Sequence, residues 1–404
     1  MKTVALICGG AEVRHFGLQP QIRLHRLLAR DGFDVVTLSS PDDPVPEADE
    51  IVVIHGAYLY DDRLVRYLMK RRNQQLMQTS DQEAPIVAVH APREQALPAV
   101  AAILEGRAID SIAGLKREDP DEMMKGIPHR LLKAQRPFVV KAEASRRQIH
   151  ERLLYDASYK GVTDLVTKWL WPHPARWCVQ LCVRLKIQPN QVTVTGFSLM
   201  LAALFLFWRG DYAFGLVCGW IMTFFDTVDG KLARTTVSAS RFGHYLDKVT
   251  DIVHPPFWYL AWGLSLTSFA SPTPIFDLQA TIIIIFGGYF VGRLVELFTK
   301  KLWVRGGMFV WRPIDSYFRL VTARRNTCMI PMTASLFIGR PDLGLWAVAA
   351  WTVLSTLFLM VRMIMAWQAC PKGEDKLNSW LVDANPEEED PDLAIRWFAM
   401  PSET

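Results

Sequence analysis

The sequence predicts a two-part architecture: an N-terminal α/β domain with a mainly parallel sheet, then an all-α bundle of six transmembrane helices. Three observations lead there. Short apolar runs alternate with helical patterns over residues 1–143, long apolar stretches crowd between about 193 and 369, and basic residues gather on alternate connections of that second part. Half of the 404 residues are apolar, and their uneven spread separates a soluble part from a membrane part.

In the first part, Val4–Cys8, Val35–Leu38, Ile51–Ile54, Ile86–Val89 and Phe138–Val140 read as strands, and Gln21–Arg30, Asp62–Lys70 and Arg93–Leu104 as helices. Strands alternating with helices argue for a parallel sheet. The opening MKTVALICGG has too short an apolar run for a signal peptide and is followed by charged residues, so this domain is expected in the cytoplasm. Residues 144–187 read as two amphipathic helices parted by Pro172 and Pro174. There Trp169, Trp171 and Trp177 interleave with Lys160, Lys168, Arg176, Arg184 and Lys186, a pattern suited to the headgroup region.

Residues 188–369 hold the six expected spans, at about 193–208, 212–230, 249–267, 279–298, 326–338 and 343–367. Lys231, Arg234, Arg241 and Lys248 fall on one connection, and the segment Arg293–Arg325 is also strongly basic, whereas the opposite connections offer Arg209 and Arg340. The excess of positive charge puts the basic connections, both termini and the α/β domain on the cytoplasmic side. Residues 370–404 are polar, with Glu387, Glu388, Glu389 and Asp390 in a row, and are expected to be disordered or loosely attached. A net charge of +4 leaves no nucleic-acid footprint. Cys8, Cys178, Cys182, Cys218, Cys328 and Cys370 form no CxxC pair and read as free thiols in a reducing compartment. No internal repeat is evident.

The chemistry lies in Asp226-Thr-Val-Asp229-Gly230-Lys-Leu-Ala233-Arg234 and in Gly243-His-Tyr-Leu-Asp247-Lys-Val-Thr-Asp251. Asp226 and Asp229 are three apart and share one helix face; Asp247 and Asp251 are four apart and share a face of the next helix. Each charged Asp in a membrane helix costs roughly 3 kcal/mol on the insertion scale. Four at one depth therefore need compensating charge, which two Mg²⁺ or Mn²⁺ ions bridged by carboxylates would supply. Such a pair can clamp a pyrophosphate and stabilise its leaving oxygen. Gly230, Ala233 and Gly243 let a nucleotide or a helix approach the backbone, and Arg234 can bond phosphate in bidentate fashion.

The stretch 226–251 resembles the signature of CDP-alcohol phosphotransferases, D-x2-D-G-x2-A-R-x8-G-x3-D-x3-D, at every fixed position and spacing. The resemblance covers roughly 150–368. It implies a metal site built from Asp226, Asp229, Asp247 and Asp251, with Asp251 as general base on an acceptor hydroxyl and CMP as leaving group. Pro189-Asn190-Gln191-Val192-Thr193 resembles the family's nucleotide contact at the first span, where Asn190 reads as a helix N-cap. Ser240 falls where family members place a hydroxyl near the nucleotide. Arg293, Arg319, Arg325 and Arg362 lie near cytoplasmic ends of spans, where related enzymes bind phosphorylated acceptors; each alone also suits a positive-inside anchor. His244 and His254 are near the acids, and His254, before Pro255-Pro256, reads as packing.

The opening Ala5-Leu-Ile-Cys-Gly9-Gly10-Ala-Glu-Val-Arg14 is similar to the start of nucleotidyltransferase domains. Pro20 is followed by Gln21 where those domains often place Lys, and Ala57 stands where they place a metal-binding Asp. The order of parts resembles archaeal fusions of inositol-phosphate cytidylyltransferase with di-myo-inositol phosphate phosphate synthase, here with an inactive first domain. The expected protein is a bacterial or archaeal cytoplasmic-membrane enzyme. It transfers a substituted phosphate from a CDP-alcohol (CDP-diacylglycerol or a CDP-polyol) to an alcohol or phosphorylated polyol, and the resemblance implies a homodimer among membrane lipids. Against it stand a non-catalytic membrane scaffold, or nucleotide-binding protein with a retained metal site, which loss of any one Asp would favour, and a transporter, whose acids belong near the bilayer midplane.

Overall fold

The computed structural model describes residues 2–81, 83–125, 136–159, 161–269, 277–370, 376–384 and 390–399. The chain forms two compact units: 1–128 with 135–159 and 234–238, and 129–134 with 160–233 and 239–404.

The first unit holds β1 (Thr3–Cys8), α1 (Pro20–Arg30), β2 (Asp34–Leu38), β3 (Glu50–His55), β4 (Tyr58–Tyr60), α2 (Asp62–Leu68), β5 (Gln74–Met77), β6 (Ile86–Pro92), α3 (Arg93–Leu104), β7 (Lys116–Glu118), α4 (Pro120–Lys125), β8 (Val139–Lys141) and α5 (Arg147–Asp156). Side chains alternate along the central strands. Ala5, Ile7, Val52 and Ile54 join Leu24, Leu27 and Leu28 of α1 and Leu64 of α2 on one face. Val4, Leu6, Ile51 and Val53 join Ala96, Val100 and Ile103 of α3 on the other. Covering both faces explains why these strands are continuous apolar runs.

The sheet corrects the expectation of a mainly parallel one. Its order is β2-β1-β3-β6-β5-β7, and it is mixed. β1 pairs in parallel with β2 and β3, whereas β6 is antiparallel to both β3 and β5. The chain passes from β5 to β6 without a helix, and a parallel pairing needs a crossover of a dozen or more residues. The strand at Phe138–Val140 leaves this sheet: β8 pairs with β4 in a separate two-stranded ribbon. At the end of β1, Gly9 has φ +65°, and a Cβ on Gly56 would lie 2.2 Å from the Gly9 carbonyl oxygen, so only glycine permits that approach.

Residues 234–238 complete this unit. Val237 is buried in the α1/α2 face of the core although its φ is +48°, a left-handed conformation that strains a β-branched residue. Arg23 donates to the Thr235 carbonyl at 2.5 Å and to Asp62 at 3.1 Å.

The second unit is helical: α6 (Pro172–Arg184), α7 (Pro189–Trp208), α8 (Tyr212–Thr235, whose last two residues belong to the first unit), α9 (Arg241–Phe269), α10 (Leu278–Leu302), α11 (Pro313–Val321), α12 (Arg325–Phe337), α13 (Pro341–Ala369) and α14 (Leu393–Phe398). The expected six spans are corrected to three. Among the described residues, only α7, α10 and α13, of 20, 25 and 29 residues, are long and apolar enough to cross a membrane. α8 is interrupted by Asp226, Asp229, Lys231 and Arg234, α9 by Asp247, Lys248, Asp251 and two prolines, and α12 has 13 residues, about 20 Å at 1.5 Å per residue. The core gathers Met200, Phe207, Trp258, Trp262, Met329 and Leu345. Its buried indoles donate to backbone, Trp258 to Met200 at 3.1 Å and Trp262 to Pro341 at 2.9 Å.

The tail is ordered over its described residues, against the expectation of a loose one. Leu377 bonds backbone to backbone with Trp303 and Arg305, the Trp380 indole donates to Ser316 at 2.9 Å, and Phe398 packs on Tyr317. Three apolar anchors in a polar stretch suffice to hold it. Lys160 and Glu387–Glu389 lie outside the described residues.

Candidate metal and phosphate site

The two aspartate pairs converge. One carboxylate oxygen each from Asp226, Asp229 and Asp247 lies within 4.8 Å of the others. The spacing on α8 turns Asp226 and Asp229 to one face, and α9 supplies Asp247. Asp251, one turn further, is outside this trio but tied to it: Arg325 at the start of α12 donates to Asp226 at 2.6 Å and to Asp251 at 2.8 Å. Thr193 of α7 donates to Asp229 at 2.6 Å. Arg325 thus pairs with two of the four carboxylates, and the close approach of the trio's oxygens favours a bound cation. An all-carboxylate donor set suits a hard divalent ion, so the residues present fit a metal.

Three of the expected nucleotide residues, Asn190, Ser240 and Gly243, form a second cluster beside α7 and α9. Ser240 donates to Asn190 Oδ1 at 2.7 Å and accepts the Gly243 N–H at 2.9 Å, capping α9. A Cβ on Gly243 would meet Asn190 Oδ1 at 2.8 Å, so side-chain bulk there would have to displace the Asn190 amide. Asn190 itself is not the N-cap. Pro189 takes the first helical position and moves the cap to Gln188, whose N–H is accepted by Gln191 at 2.8 Å. Gly230 and Ala233 are half-buried on α8, while Arg234 is exposed and belongs with 235–238 to the first unit.

The four expected acceptor arginines separate. Arg362 is locked in a buried bidentate pair with Asp315, at 2.6 and 2.8 Å, and stacks on Trp311. Arg325 belongs to the aspartates. Arg293 lies 3.4 Å from Glu296, which also pairs with Arg324, and Arg319 lies over Phe309 within electrostatic reach of both arginines. Arg324, Glu296, Asp164 and Asn326 were not singled out from sequence; the adjacent Arg324-Arg325 was the one available signal. Asp164 accepts from Asn326 at 3.1 Å and from the Thr167 hydroxyl at 2.9 Å. Burial works to raise its carboxyl, but Arg319 and these hydrogen bonds outweigh it and hold it below the usual carboxylate range. His254 is buried edge-on to Trp258 with its Nδ1 on the Thr250 carbonyl, a packing role, and His244 is exposed.

Comparison with known proteins points the same way. Residues 186–369 match the family described as CDP-alcohol phosphatidyltransferase. A phosphatidylinositol phosphate synthase of Mycobacteroides abscessus is 32% identical over 108 residues, 25% of this chain and 49% of that one. An archaetidylinositol phosphate synthase of Pyrococcus horikoshii is 37% identical over 67 residues, 17% of this chain and 36% of that one. The chain thus spans half or less of the length of these two relatives. The crystal structure of Mycobacterium tuberculosis phosphatidylinositol phosphate synthase with manganese and citrate aligns at 22% identity and a TM-score of 0.37, over 49% of this chain and 91% of that one. The similarity to the CDP-alcohol phosphatidyltransferase family thus lies in residues 186–369, within the helical unit.

Proposed function

We propose that the protein is a membrane CDP-alcohol phosphotransferase that moves a substituted phosphate from a CDP-alcohol to a hydroxyl acceptor and releases CMP. The observation that carries this reading is the convergence of Asp226, Asp229 and Asp247, with Asp251 joined to them through Arg325. In the proposed reaction the acceptor oxygen bonds to the donor's distal phosphorus, the pyrophosphate P–O bond breaks, and Asp251 takes the hydroxyl proton. Arg325 holds the Asp251 carboxylate in place. Asp226, Asp229 and Asp247 would hold the divalent metal, Mg²⁺ or Mn²⁺, which supplies charge neutralisation of the pyrophosphate, and Asp251, outside that trio, is kept for the proton. Asn190, Thr193, Gly230, Ala233, Arg234, Ser240 and Gly243 are read as the nucleotide side.

For the acceptor, Arg293, Arg319 and Arg324 around one Glu296 favour a phosphorylated polyol. The names of the relatives, a phosphatidylinositol phosphate synthase and an archaetidylinositol phosphate synthase, favour an inositol phosphate as acceptor, with a CDP-linked lipid as donor. Arg362, neutralised by Asp315, leaves the acceptor set. We read the site as facing the cytoplasm and the chain as a homodimer among membrane lipids. The first unit is read as a nucleotidyltransferase-like domain without transfer activity: Gln21 fills its glycine loop and accepts the Ala11 N–H at 3.2 Å.

The test is CMP release by the full-length protein with Mg²⁺ or Mn²⁺, offering CDP-diacylglycerol or CDP-inositol against alcohols and phosphorylated polyols, beside Asp251→Asn. Acceptor-dependent release that vanishes in the variant supports the transferase. Absence of both release and metal-dependent CDP binding returns the reading to a scaffold.

A further inference from the structure

Helix α9 carries Pro255 and Pro256 one turn after Asp251. A proline has no N–H for the carbonyl four residues back, so the carbonyls of Asp251 and Ile252 lose their helical partners. Orphaned carbonyls inside a helix bundle need another donor. One side chain from α10 reaches both: the buried Tyr289 hydroxyl, with its single hydrogen, donates to the Ile252 oxygen at 2.9 Å and lies 3.4 Å from the Asp251 oxygen, a weaker shared contact. The Arg293 guanidinium lies over the same ring, 5.3 Å from its centroid. Tyr289 therefore stands between the backbone of the proposed base and the arginine cluster proposed for the acceptor phosphate.

We infer that Tyr289 is a positioning residue for the transfer: it closes the backbone break behind Asp251 and so sets the angle at which that carboxylate meets Arg325 and the acceptor hydroxyl. The inference rests on the reading of Asp251 as the base. It separates Asp251 from the metal trio, because the helix bonds ahead of the break, around Asp247, do not involve the two prolines.

The experiment uses full-length protein with CDP-diacylglycerol and myo-inositol 1-phosphate as probes, with Mn²⁺ affinity followed by electron paramagnetic resonance. Tyr289→Phe is expected to lower kcat about tenfold, as a small misplacement of a reacting group does, and to leave donor KM and Mn²⁺ affinity unchanged. Replacing Pro255 and Pro256 by Ala restores the two missing N–H groups, so in the Tyr289→Phe background it is expected to recover most of the lost kcat. Full kcat in Tyr289→Phe, a parallel loss of Mn²⁺ affinity, or no recovery in the alanine background would each overturn the assignment. Should the alanine variants not fold, the comparison of Tyr289→Phe with Asp251→Asn decides alone. Turnover that survives Asp251→Asn, or no release by the wild type, overturns the underlying reading instead.

Discussion

The helical unit holds arginines in two contrasting ways. At Arg362 the Nε and Nη2 of one guanidinium edge each meet a carboxylate oxygen of Asp315, both side chains are almost fully buried at 7% and 0% exposure, and charge is balanced. Around Glu296 one carboxylate serves Arg293 and Arg324, and the Nη1 of Arg319 has no hydrogen-bond partner among the described residues. The first arrangement is complete as it stands. The second carries surplus positive charge, which costs folding stability unless an anion satisfies it. The aspartate trio is the same imbalance with the opposite sign. The sites proposed here for ligands are thus those where like charges gather, and the structural pair is the one whose charge is fully matched.

The sharpest break of this comparison is at the acidic end. Asp251→Asn should lower turnover by about 10³-fold, the scale of general-base removal, and CMP release measures it. Next, Asp247→Asn should weaken Mn²⁺ binding at least about 100-fold, since losing a ligand exceeds the effect of losing a ligand's support; resonance titration reads it without any substrate. The two arginine environments should then respond in opposite ways. Arg319→Ala should raise KM for a phosphorylated acceptor about tenfold, as loss of one charge-assisted bond implies. Arg362→Ala should leave that KM alone and destabilise by about 3 kcal/mol, because it strands the Asp315 carboxylate. Equal KM effects would dissolve the distinction.

The smallest effect expected is in the first unit, where His15 and His150 stand 3.3 Å apart, nitrogen to nitrogen. Burial first, then His150, Arg147 and Arg23, pushes His15 down to about 4 from its ordinary 6.5. Such an imidazole binds its proton mainly after unfolding, so the stability it contributes is present above pH 6.5 and is lost as the pH falls towards 4. His15→Gln should flatten the loss of melting temperature over that window.

The aspartates were legible because a helix converts spacings of three and four directly into shared faces, and the signature joins the two helices. The central strands were legible because both faces of the sheet are covered, leaving unbroken apolar runs. β5 was not: Gln74-Gln75-Leu-Met has no strand pattern, and Gln75 is buried because its amide is satisfied by backbone of Ile112 and Leu115. Its hairpin with β6 is what reverses the sheet. The arginines were not separable, since Arg362 and Arg325 differ only in the carboxylate they meet, 47 and 74 to 99 residues away. The six spans failed because apolar length was read across acids and prolines that interrupt it.

One feature of the first unit bears on how such a protein can be taken apart. Val237 fills part of its core and the Thr235 carbonyl occupies Arg23, yet both residues are encoded downstream of Asp226 and Asp229. Excising the α/β domain as residues 1–159 would leave a cavity against α1 and an arginine with one of its two acceptors gone. Modularity in the gene and modularity in space therefore differ: the domain can be transplanted or replaced only together with a five-residue insert from the other half of the chain.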